Sequence, residues 1–537
     1  MAGTGTPILD VPPATFPHGC TVPDAPRKSS EAGKNSRAVL AAAALIVLVG
    51  GAVRAAGVTG SIWFDEAVTV RDVSGTFGQM LHRVVNHEAS PPFYFICLWV
   101  WRHLVGATAV DLQAMSALAG TLTIALAFYV AWRRIGPAAG LVLAICVAVS
   151  PALYYHSTEM RMYGLLVLIT GIGFAAFLSA SESPNRRNLS VWAAASILAM
   201  WTQYYAVLAV APEAVLLLAL AWRARREASR TFIAVGALAV SALPLTYLMA
   251  YQARHAYAYG SLLLSSTWQH SPLSIHTYPS LSGVAQEVVV GPAGPAKGLF
   301  TALVFIVVLA AAAHLVRHGQ IAKRQLIWAG CLIAPAALAV ELLVFLHLAV
   351  AGRYLLPLWL PVGLGASYVL ASAGRLGIGL AALLACIWLG LVLVGLTIPR
   401  FGARDDTLAA ARGLGVAKRD RLIAISQPWD VVPFEDYRPQ ASAATHPLVG
   451  VRELDVVAMP TVGEPPPGDH EPPSSTGLGP LPRGMRLAQV IRGSTFLIER
   501  FVAATPVGIR IDGHGTAFSA SYWRFLDEPA GAGMGSL

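Results

Sequence analysis

Charged side chains are scarce in this sequence. Only 12% of its 537 residues are Asp, Glu, Lys or Arg, and 55% are hydrophobic. An average soluble domain carries about 25% charged residues, so most of this chain is unsuited to water. Apolar runs of about 17–25 residues, long enough to cross a bilayer, recur between residues 38 and 398. The composition excludes an ordinary soluble protein and predicts a polytopic α-helical membrane protein.

Cysteine is also rare. Of the five cysteines, Cys20 precedes the first apolar run, and Cys97, Cys146, Cys331 and Cys386 lie inside apolar segments. No polar loop contains a pair of them, so the spacing predicts neither a disulfide framework nor a zinc site. No metal-ligand cluster is indicated elsewhere, and a divalent ion is left open.

The formal net charge of +9 does not indicate nucleic acid as a partner. Lys and Arg are divided among short clusters between apolar runs, such as Arg133–Arg134 and Arg186–Arg187. Short basic loops are retained on the cytoplasmic side of a membrane, so these clusters mark topology. Residues 1–37 form a polar tail before an apolar run that is too long for a signal-peptide core. We therefore expect a cytoplasmic N-terminal tail and a retained first span.

Twelve apolar segments are candidate spans. They cover residues 38–57, 92–106, 114–132, 139–151, 161–180, 189–203, 205–222, 231–250, 297–316, 325–346, 354–371 and 376–398. The basic clusters place the start of the chain inside and the residues after Pro399 outside, which requires an odd number of crossings. We expect about eleven spans, with the short segment 139–151 crossing only in part. The transmembrane module then covers residues 38–399, with outer-face loops at 58–90 and 251–296.

The composition changes in the last quarter of the chain, where the long apolar runs end. Residues 400–537 contain a helical stretch at Asp406–Leu414 and four short stretches typical of strands. The strand candidates are Arg421–Ser426, Leu454–Met459, Thr495–Ile498 and Val507–Ile511. Gly463–Gly484 is rich in Pro, Gly and Ser, which is typical of a flexible linker. We expect a small C-terminal extracytoplasmic α/β domain.

Two adjacent acids, Asp65 and Glu66, follow Trp63 and Phe64 just beyond the first span. Aromatic residues favour the membrane interface, so these carboxylates are expected near headgroup level. A base at that level can take a proton from an acceptor hydroxyl while the reacting group is still attached to a lipid phosphate. The alternative is that both acids only cap a surface helix.

Two further clusters contain ionisable residues at the ends of apolar segments. The first is Glu159, Arg161 and Tyr163, which indicates a site facing the bundle interior or, alternatively, a structural ion pair with an interface tyrosine. The second is Arg353-Tyr354, where the guanidinium offers a fork of donors to a phosphate or, alternatively, only reaches toward the interface. The topology derived from basic loops places both clusters on the same face as Asp65.

The order of these motifs resembles a known family. Trp63-Phe64-Asp65-Glu66-Ala67, Pro91-Pro92, Ser150-Pro151 and Arg353-Tyr354-Leu355-Leu356-Pro357 follow one another as in the polyprenyl-phosphate-sugar-dependent glycosyltransferases of the GT-C class. The resemblance is to the bacterial protein O-mannosyltransferase and aminoarabinose transferase superfamily, over residues 38–400. It implies that Asp65 is the catalytic base with Glu66 as its partner. It also implies that Glu159, Arg161 and Tyr163 line the site, and that Arg353 meets the lipid phosphate.

The chain departs from the family pattern at two positions. Many relatives have histidine directly before the Pro-Pro pair, where this chain has Ser90, and the nearest histidine is His87. Gln203 stands where another histidine is common. His87 and Tyr354 complete the set of candidate substrate-binding residues.

The resemblance implies an inverting transfer of a sugar from a polyprenyl-phosphate donor. Abundant Ala, Gly and Arg suggest a high-GC bacterial genome, for which mannose or an arabinose-like pentose is the expected sugar. The acceptor would be a glycan, lipid or protein of the cell envelope, on the extracytoplasmic face of the plasma (inner) membrane. Two alternatives remain: a lipid-linked saccharide transporter or polymerase, and a non-catalytic envelope scaffold.

Overall fold

A computed structural model describes most of the chain. The residues described are 29–224, 228–263, 281–291, 296–318, 352–397, 407–425, 431–444, 448–459, 483–493, 496–509 and 524–535. The predicted span 325–346, most of the predicted linker Gly463–Gly484 and part of the predicted loop 251–296 lie outside these residues.

The helices, in chain order, are α1 Ser29–Gly57, α2 Phe64–Asp72, α3 Phe77–His87, α4 Phe93–Leu104, α5 Ala109–Arg134, α6 Pro137–Val149, α7 Pro151–Ser157, α8 Tyr163–Glu182, α9 Arg186–Thr202, α10 Val207–Ala224, α11 Ala228–Leu263, α12 Leu281–Val290, α13 Lys297–Arg317, α14 Trp359–Ser372, α15 Gly374–Thr397, α16 Thr407–Gly413 and α17 Val431–Tyr437.

Long apolar helices dominate residues 36–397. Within the described part of the chain, eight helices are long and apolar enough to cross a membrane, or nine if the bent pair α6–α7 forms one span. Their lipid-facing residues are exposed and hydrophobic, such as Leu48 and Leu309. The predicted class, a polytopic helical membrane protein with a small C-terminal α/β domain, is confirmed. The number of spans stays a prediction because segment 325–346 is not described.

The candidate span 92–106 does not cross. Its helix, α4, has 12 residues and is therefore about 18 Å long, whereas the hydrocarbon core is about 30 Å thick. Gln113 near the start of α5 donates to the Ser61 carbonyl and to Glu66 Oε1, both of which precede α4. The chain thus enters α5 from the same side on which it left α1.

The prediction that segment 139–151 is the partial span is wrong. At the far end of α5, Arg134 Nη1 lies 2.6 Å from Glu182 Oε1 at the end of α8. The chain then returns through α6 and α7, and the Met160 amide reaches Glu66 on the original side. Ser150 Oγ accepts from the Leu153 amide, and Pro151 occupies the first turn of α7. This new helix start bends the pair by 58° without preventing a crossing.

Residues 58–90 fold into the short helices α2 and α3 rather than an irregular loop. The predicted outer loop 251–296 is also partly helical, because α11 continues to Leu263 and α12 begins at Leu281. These helices bring side chains from distant parts of the chain to the end of the bundle where Asp65 lies. Gln252 on α11, for example, donates from Nε2 to the carbonyls of Val84 and Ser90.

The C-terminal domain contains a six-stranded sheet of order β2-β6-β1-β3-β5-β4. Its strands are β1 Arg421–Ile425, β2 Ser442–Ala443, β3 Leu448–Ala458, β4 Met485–Arg492, β5 Leu497–Ile509 and β6 Arg524–Glu528. Neighbours β1 and β3 are parallel and the other pairs are antiparallel. The predicted helix and the first two predicted strands are confirmed. The other two predicted strands are the ends of one strand, β5, which runs through Pro506.

Two buried arginines join the sheet of the C-terminal domain to its helices. Arg421 Nε lies 2.6 Å from Glu528 Oε2, and its Nη1 lies 3.0 Å from Asp455 Oδ2. Arg438 Nε lies 2.6 Å from Glu528 Oε1. The remaining guanidinium donors of both arginines reach the carbonyls of Ala411, Leu414 and Gly415. Because all these charges are paired, their burial is tolerated.

The C-terminal domain contacts the Asp65 end of the bundle through α17. Arg71 on α2 donates from Nε to Asp436 Oδ1 at 2.9 Å, and from Nη2 to Glu435 Oε2 at 3.2 Å and to the Val432 carbonyl. The helix that begins with the candidate catalytic acids is therefore attached to the C-terminal domain at its other end.

Candidate functional site

The two candidate acids lie in the first turn of α2 but face different surroundings. Trp63 precedes the helix in an extended conformation, and carboxylates in a first turn are favoured by the helix dipole. The Asp65 side chain is 25% exposed, whereas Glu66 is fully buried. Of the pair, Asp65 is therefore the carboxylate that a substrate can reach.

Glu66 joins three segments of the chain. Its Oε1 accepts from the Met160 amide at 2.6 Å and from Gln113 Nε2 at 3.0 Å, and its Oε2 accepts from the Trp63 amide at 3.3 Å. These three hydrogen bonds hold the Glu66 carboxyl group in one position. This arrangement fits the orienting half of the predicted partnership, in which Glu66 positions Asp65.

Arg161 is buried beneath α2 and hydrogen-bonds to residues on either side of the opening at Asp65. Its Nη1 donates to the Asp65 carbonyl at 3.3 Å, to Thr69 Oγ1 at 2.9 Å and to Glu88 Oε1 at 3.1 Å. Burial alone would lower the pKa of Arg161, but the carboxylates of Glu88 and Asp65 raise it above its ordinary value. The arginine therefore stays charged while it holds the backbone of α2.

A second carboxyl, Asp72, lies in the same charge cluster. It is 3% exposed, and burial together with the neighbouring Glu88 carboxylate raises its pKa to about 8, against the opposing effect of Arg161. Its Oδ2 atom has no hydrogen-bond partner among the described residues. At neutral pH, the Asp72 carboxyl group is therefore mainly protonated.

Arg353 approaches Asp65 from a different part of the chain. It lies in a 3-10 turn over Gly352–Leu358, where Glu287 Oε2 accepts from the Gly352 amide. Arg353 Nη1 is 3.9 Å from Asp65 Oδ2, and its side chain is 20% exposed. The guanidinium also lies over the rings of Tyr163 at 5.8 Å and Tyr354 at 5.6 Å.

The aromatic rings around Arg353 restrict its position without using all of its donors. The Tyr354 ring stacks on Tyr205 with centroids 4.2 Å apart and an interplanar angle of 2°. Arg353 Nε is buried and has no hydrogen-bond partner within the described part of the chain. A cation with stacked aromatic support and unused donors, beside a partly exposed carboxylate, is suited to binding an anionic group such as phosphate.

Glu159 does not face this opening. It is 1% exposed, and its Oε1 lies 2.7 Å from His156 Nδ1. The His156 ring packs edge-on against Tyr163 at 5.1 Å. Glu159 therefore holds His156, which packs against the Tyr163 ring beneath Arg353. The predicted contact of Glu159 with substrate stays a prediction.

His87 ends α3, where burial, His82 and Arg83 lower its pKa. Its predicted contact with substrate stays a prediction. The next residue, Glu88, is the one that reaches Arg161. Sequence reasoning missed Glu88, Thr69, Gln113 and His156. Only His156 carried a usable signal, because its spacing of three residues from Glu159 matches one helical turn.

No group of three His, Cys, Asp or Glu side chains that could hold a metal ion is present in the described ranges. A role for a divalent ion stays a prediction.

Part of the chain is similar to a known protein family. Residues 89–249 match the family described as dolichyl-phosphate-mannose-protein mannosyltransferase. No curated protein has a matching sequence.

A solved structure, the apo form of ArnT, shares the fold of this protein over most of the chain. The ArnT of Cupriavidus metallidurans in its apo state is 13% identical, with a TM-score of 0.51, and the match covers 88% of this chain and 98% of ArnT. ArnT bound to undecaprenyl phosphate is 14% identical, with a TM-score of 0.49, over 85% of this chain and 97% of that one. The arabinosyltransferase EmbB of Mycobacterium smegmatis is 10% identical, with a TM-score of 0.44, over 92% and 64%. The family match covers less than half of the chain, and the likeness to apo ArnT shows that the two proteins share a fold.

Proposed function

We propose that the chain transfers a sugar from a polyprenyl-phosphate donor to a cell-envelope acceptor, with inversion at the anomeric carbon. The observation that carries this proposal is the pairing of Asp65 with Arg353. A partly exposed carboxylate lies 3.9 Å from a guanidinium whose Nε has no hydrogen-bond partner among the described residues. The family matched over residues 89–249 is described by a dolichyl-phosphate-mannose donor, which is a polyprenyl-type phosphate sugar.

The reaction is a single displacement. The acceptor hydroxyl oxygen attacks the anomeric carbon, and its proton passes to the Asp65 carboxylate. The bond between the anomeric carbon and the phosphate oxygen breaks, and its electron pair stays on the phosphate. Arg353 stabilises the charge that develops there. Attack from the face opposite the departing phosphate inverts the anomeric configuration.

The chemistry belongs on the extracytoplasmic face of a bacterial plasma membrane. Arg134 and the basic start of α9, Arg186–Arg187, lie toward the end of the bundle opposite to Asp65. Basic residues are retained in the cytoplasm, so the Asp65 end and the C-terminal domain face outward. Mannose or an arabinose-like pentose is the proposed sugar, and the acceptor is a glycan, lipid or protein.

The test is sugar transfer from a polyprenyl-phosphate donor in reconstituted membranes. Asp65→Asn keeps the shape of the side chain and removes its proton acceptor. Because a positioned general base contributes about 10²–10⁴-fold, turnover should fall by at least that range while donor binding is retained.

The neighbouring substitution Glu66→Gln is the matched control, since it removes a charge that no substrate reaches. It should reduce turnover less than Asp65→Asn. An active Asp65→Asn together with an inactive Glu66→Gln would reverse the assignment within the pair. If both variants retained turnover, the proposed catalytic role of this helix would be rejected.

A further inference from the structure

The peptide just before the catalytic helix is held from two sides. Residues 60–62 link the first span to α2, and the Ile62 side chain is fully buried. Buried backbone groups that lose their hydrogen bonds are costly, so the partners of this peptide determine where it lies. Asp65 follows Ile62 by three residues and moves with it.

One set of partners comes from the membrane bundle. Gln113 on α5 accepts from the Gly60 amide through Oε1 at 3.1 Å. Its Nε2 donates to the Ser61 carbonyl at 2.9 Å and to Glu66 Oε1 at 3.0 Å. The side-chain amide of Gln113 thus spans the peptide and the start of α2.

The other set comes from the C-terminal domain. The Tyr437 hydroxyl accepts from the Ile62 amide at 2.9 Å and donates to the Gly60 carbonyl at 2.9 Å. Thr407 Oγ1 donates to the Ile62 carbonyl at 2.6 Å. Both backbone polar groups of Ile62 are therefore satisfied by side chains of the C-terminal domain.

The side chains of Tyr437 and Thr407, which carry the two hydroxyls, are buried. Tyr437 is 2% exposed and Thr407 is fully buried. Tyr437 ends α17, the helix that also binds Arg71 on α2 through Asp436 at 2.9 Å. The C-terminal domain therefore contacts α2 both before its first residue and in its last turn.

We infer that Tyr437 and Thr407 are positioning residues for Asp65, and that the C-terminal domain is part of the machinery that orients the base. This inference rests on the proposed catalytic role of Asp65. Without the two hydroxyls, the amide and carbonyl of Ile62 lose their partners and the peptide relaxes. A misplacement of about 1 Å at a reacting group lowers rate by about 10²-fold. Arg353 lies in a separate segment, Gly352–Leu358, so donor affinity should change much less.

The first measurement separates turnover from donor binding. Tyr437→Phe and Thr407→Val each remove one hydroxyl and keep the size of the side chain. Both should reduce turnover by about 10-fold or more and leave donor affinity within about 2-fold. Thr407→Ser, which keeps the hydroxyl, should restore most of the turnover. Tyr129→Phe on the exposed face of α5 is the matched control and should behave as wild type.

The second measurement follows amide hydrogen exchange and does not depend on catalysis. Exchange of the Ile62 amide should accelerate by about 10-fold or more in Tyr437→Phe, while amides of strand β1 keep their protection. If the β1 amides also lost protection, the turnover of Thr407→Val and Thr407→Ser would distinguish a local effect from a general loosening of the domain. Serine should restore turnover in the first case and not in the second.

Unchanged exchange at Ile62 and unchanged turnover in both variants would overturn the inference. Faster exchange at Ile62 with unchanged turnover would also overturn it, since the peptide would then not position the base. The proposed function fails in a different way, through an active Asp65→Asn, so the two failures are distinguishable.

Discussion

Two buried clusters of charge in the described part of the chain differ in how many of their polar atoms have hydrogen-bond partners. In the C-terminal domain, Arg421 and Arg438 direct all of their donor groups at carboxylates or backbone carbonyls. At the Asp65 end of the bundle, Arg161 Nε, Arg353 Nε and Asp72 Oδ2 have no hydrogen-bond partner among the described residues. Each side-chain nitrogen of Arg421 and Arg438 thus has a partner, whereas the Asp65 end keeps buried polar atoms that have none in the described ranges, beside a partly exposed carboxylate. We call the cluster whose arginine nitrogens all have partners the saturated cluster and interpret it as structural. We call the cluster at the Asp65 end the unsaturated cluster and interpret it as a ligand site.

The largest effect on stability should come from the saturated cluster. Arg421→Gln leaves Glu528 and Asp455 buried without one of their cationic partners. Breaking a buried pair from one side costs about 3–5 kcal/mol, so the C-terminal domain should unfold at a clearly lower temperature or denaturant concentration. Thermal unfolding of the purified protein, followed by the exchange of β1 amides, measures this loss.

Arg500→Gln is the control within the same network, because Arg500 pairs with Asp455 at 2.8 Å but is 19% exposed. Its loss should be about 1 kcal/mol or less. Equal losses for Arg421→Gln and Arg500→Gln would contradict the contrast between the two clusters.

In the unsaturated cluster, substitution should affect binding more than folding. Arg353→Ala removes the proposed phosphate donor, and hydrogen bonds to charged groups contribute about 1.5–3 kcal/mol. Donor affinity should therefore fall by about 10–100-fold, with little change in unfolding temperature. Arg353→Lys should lose less, since it keeps the charge but not the fork of donors. Equal donor affinity in wild type and Arg353→Ala would remove Arg353 from the site.

The smallest effect should be the pH dependence caused by Asp72. Its pKa is 3.8 in an ordinary environment and about 8 in the folded protein. Between these values the folded state binds the proton and the unfolded state does not, so this carboxyl makes stability fall as pH rises toward 8. We expect a loss of about 1 kcal/mol between pH 7 and 9, and a flatter profile in Asp72→Asn.

The control for Asp72 is Asp436→Asn. Burial raises the pKa of Asp436 to about 6 against the opposing effect of Arg71, so this substitution should alter the profile mainly below pH 7. If the free energy of unfolding of Asp72→Asn fell with pH above 7 as steeply as that of the wild type, a group other than Asp72 would be responsible for the pH dependence.

The parts of this arrangement that sequence reasoning predicted are those with a local signal. Long apolar runs gave the helices of the bundle, and basic clusters such as Arg186–Arg187 placed Asp65 and Arg353 at the same end. The sequence could predict that Asp65 and Arg353 lie on the same face of the membrane. It could not predict the distance between them. The α4 helix was misassigned because its length, rather than its hydrophobicity, prevents a crossing.

The parts that were missed depend on contacts between distant residues. Gln113 and Tyr437 are ordinary residues in their own segments, and their importance comes only from the peptide they meet at 60–62. Strand β4 is an edge strand with mostly exposed side chains. Its sequence therefore lacks the alternation of apolar and polar residues that would have predicted a strand. Strand β6 lies between β1 and β2, a placement that no local pattern specifies.

The bond between Ile62 and Tyr437 has a consequence for the order of events during synthesis. The two residues are 375 positions apart in the chain. At about 5–20 residues per second, a ribosome needs roughly 20–75 s to proceed from one to the other. During that interval the first span is already inserted, and the peptide before Asp65 can bind Gln113 but not yet Tyr437 or Thr407. A nascent chain can therefore have most of its membrane helices in place and still lack an oriented base, which delays sugar transfer until the C-terminal domain has folded against α2.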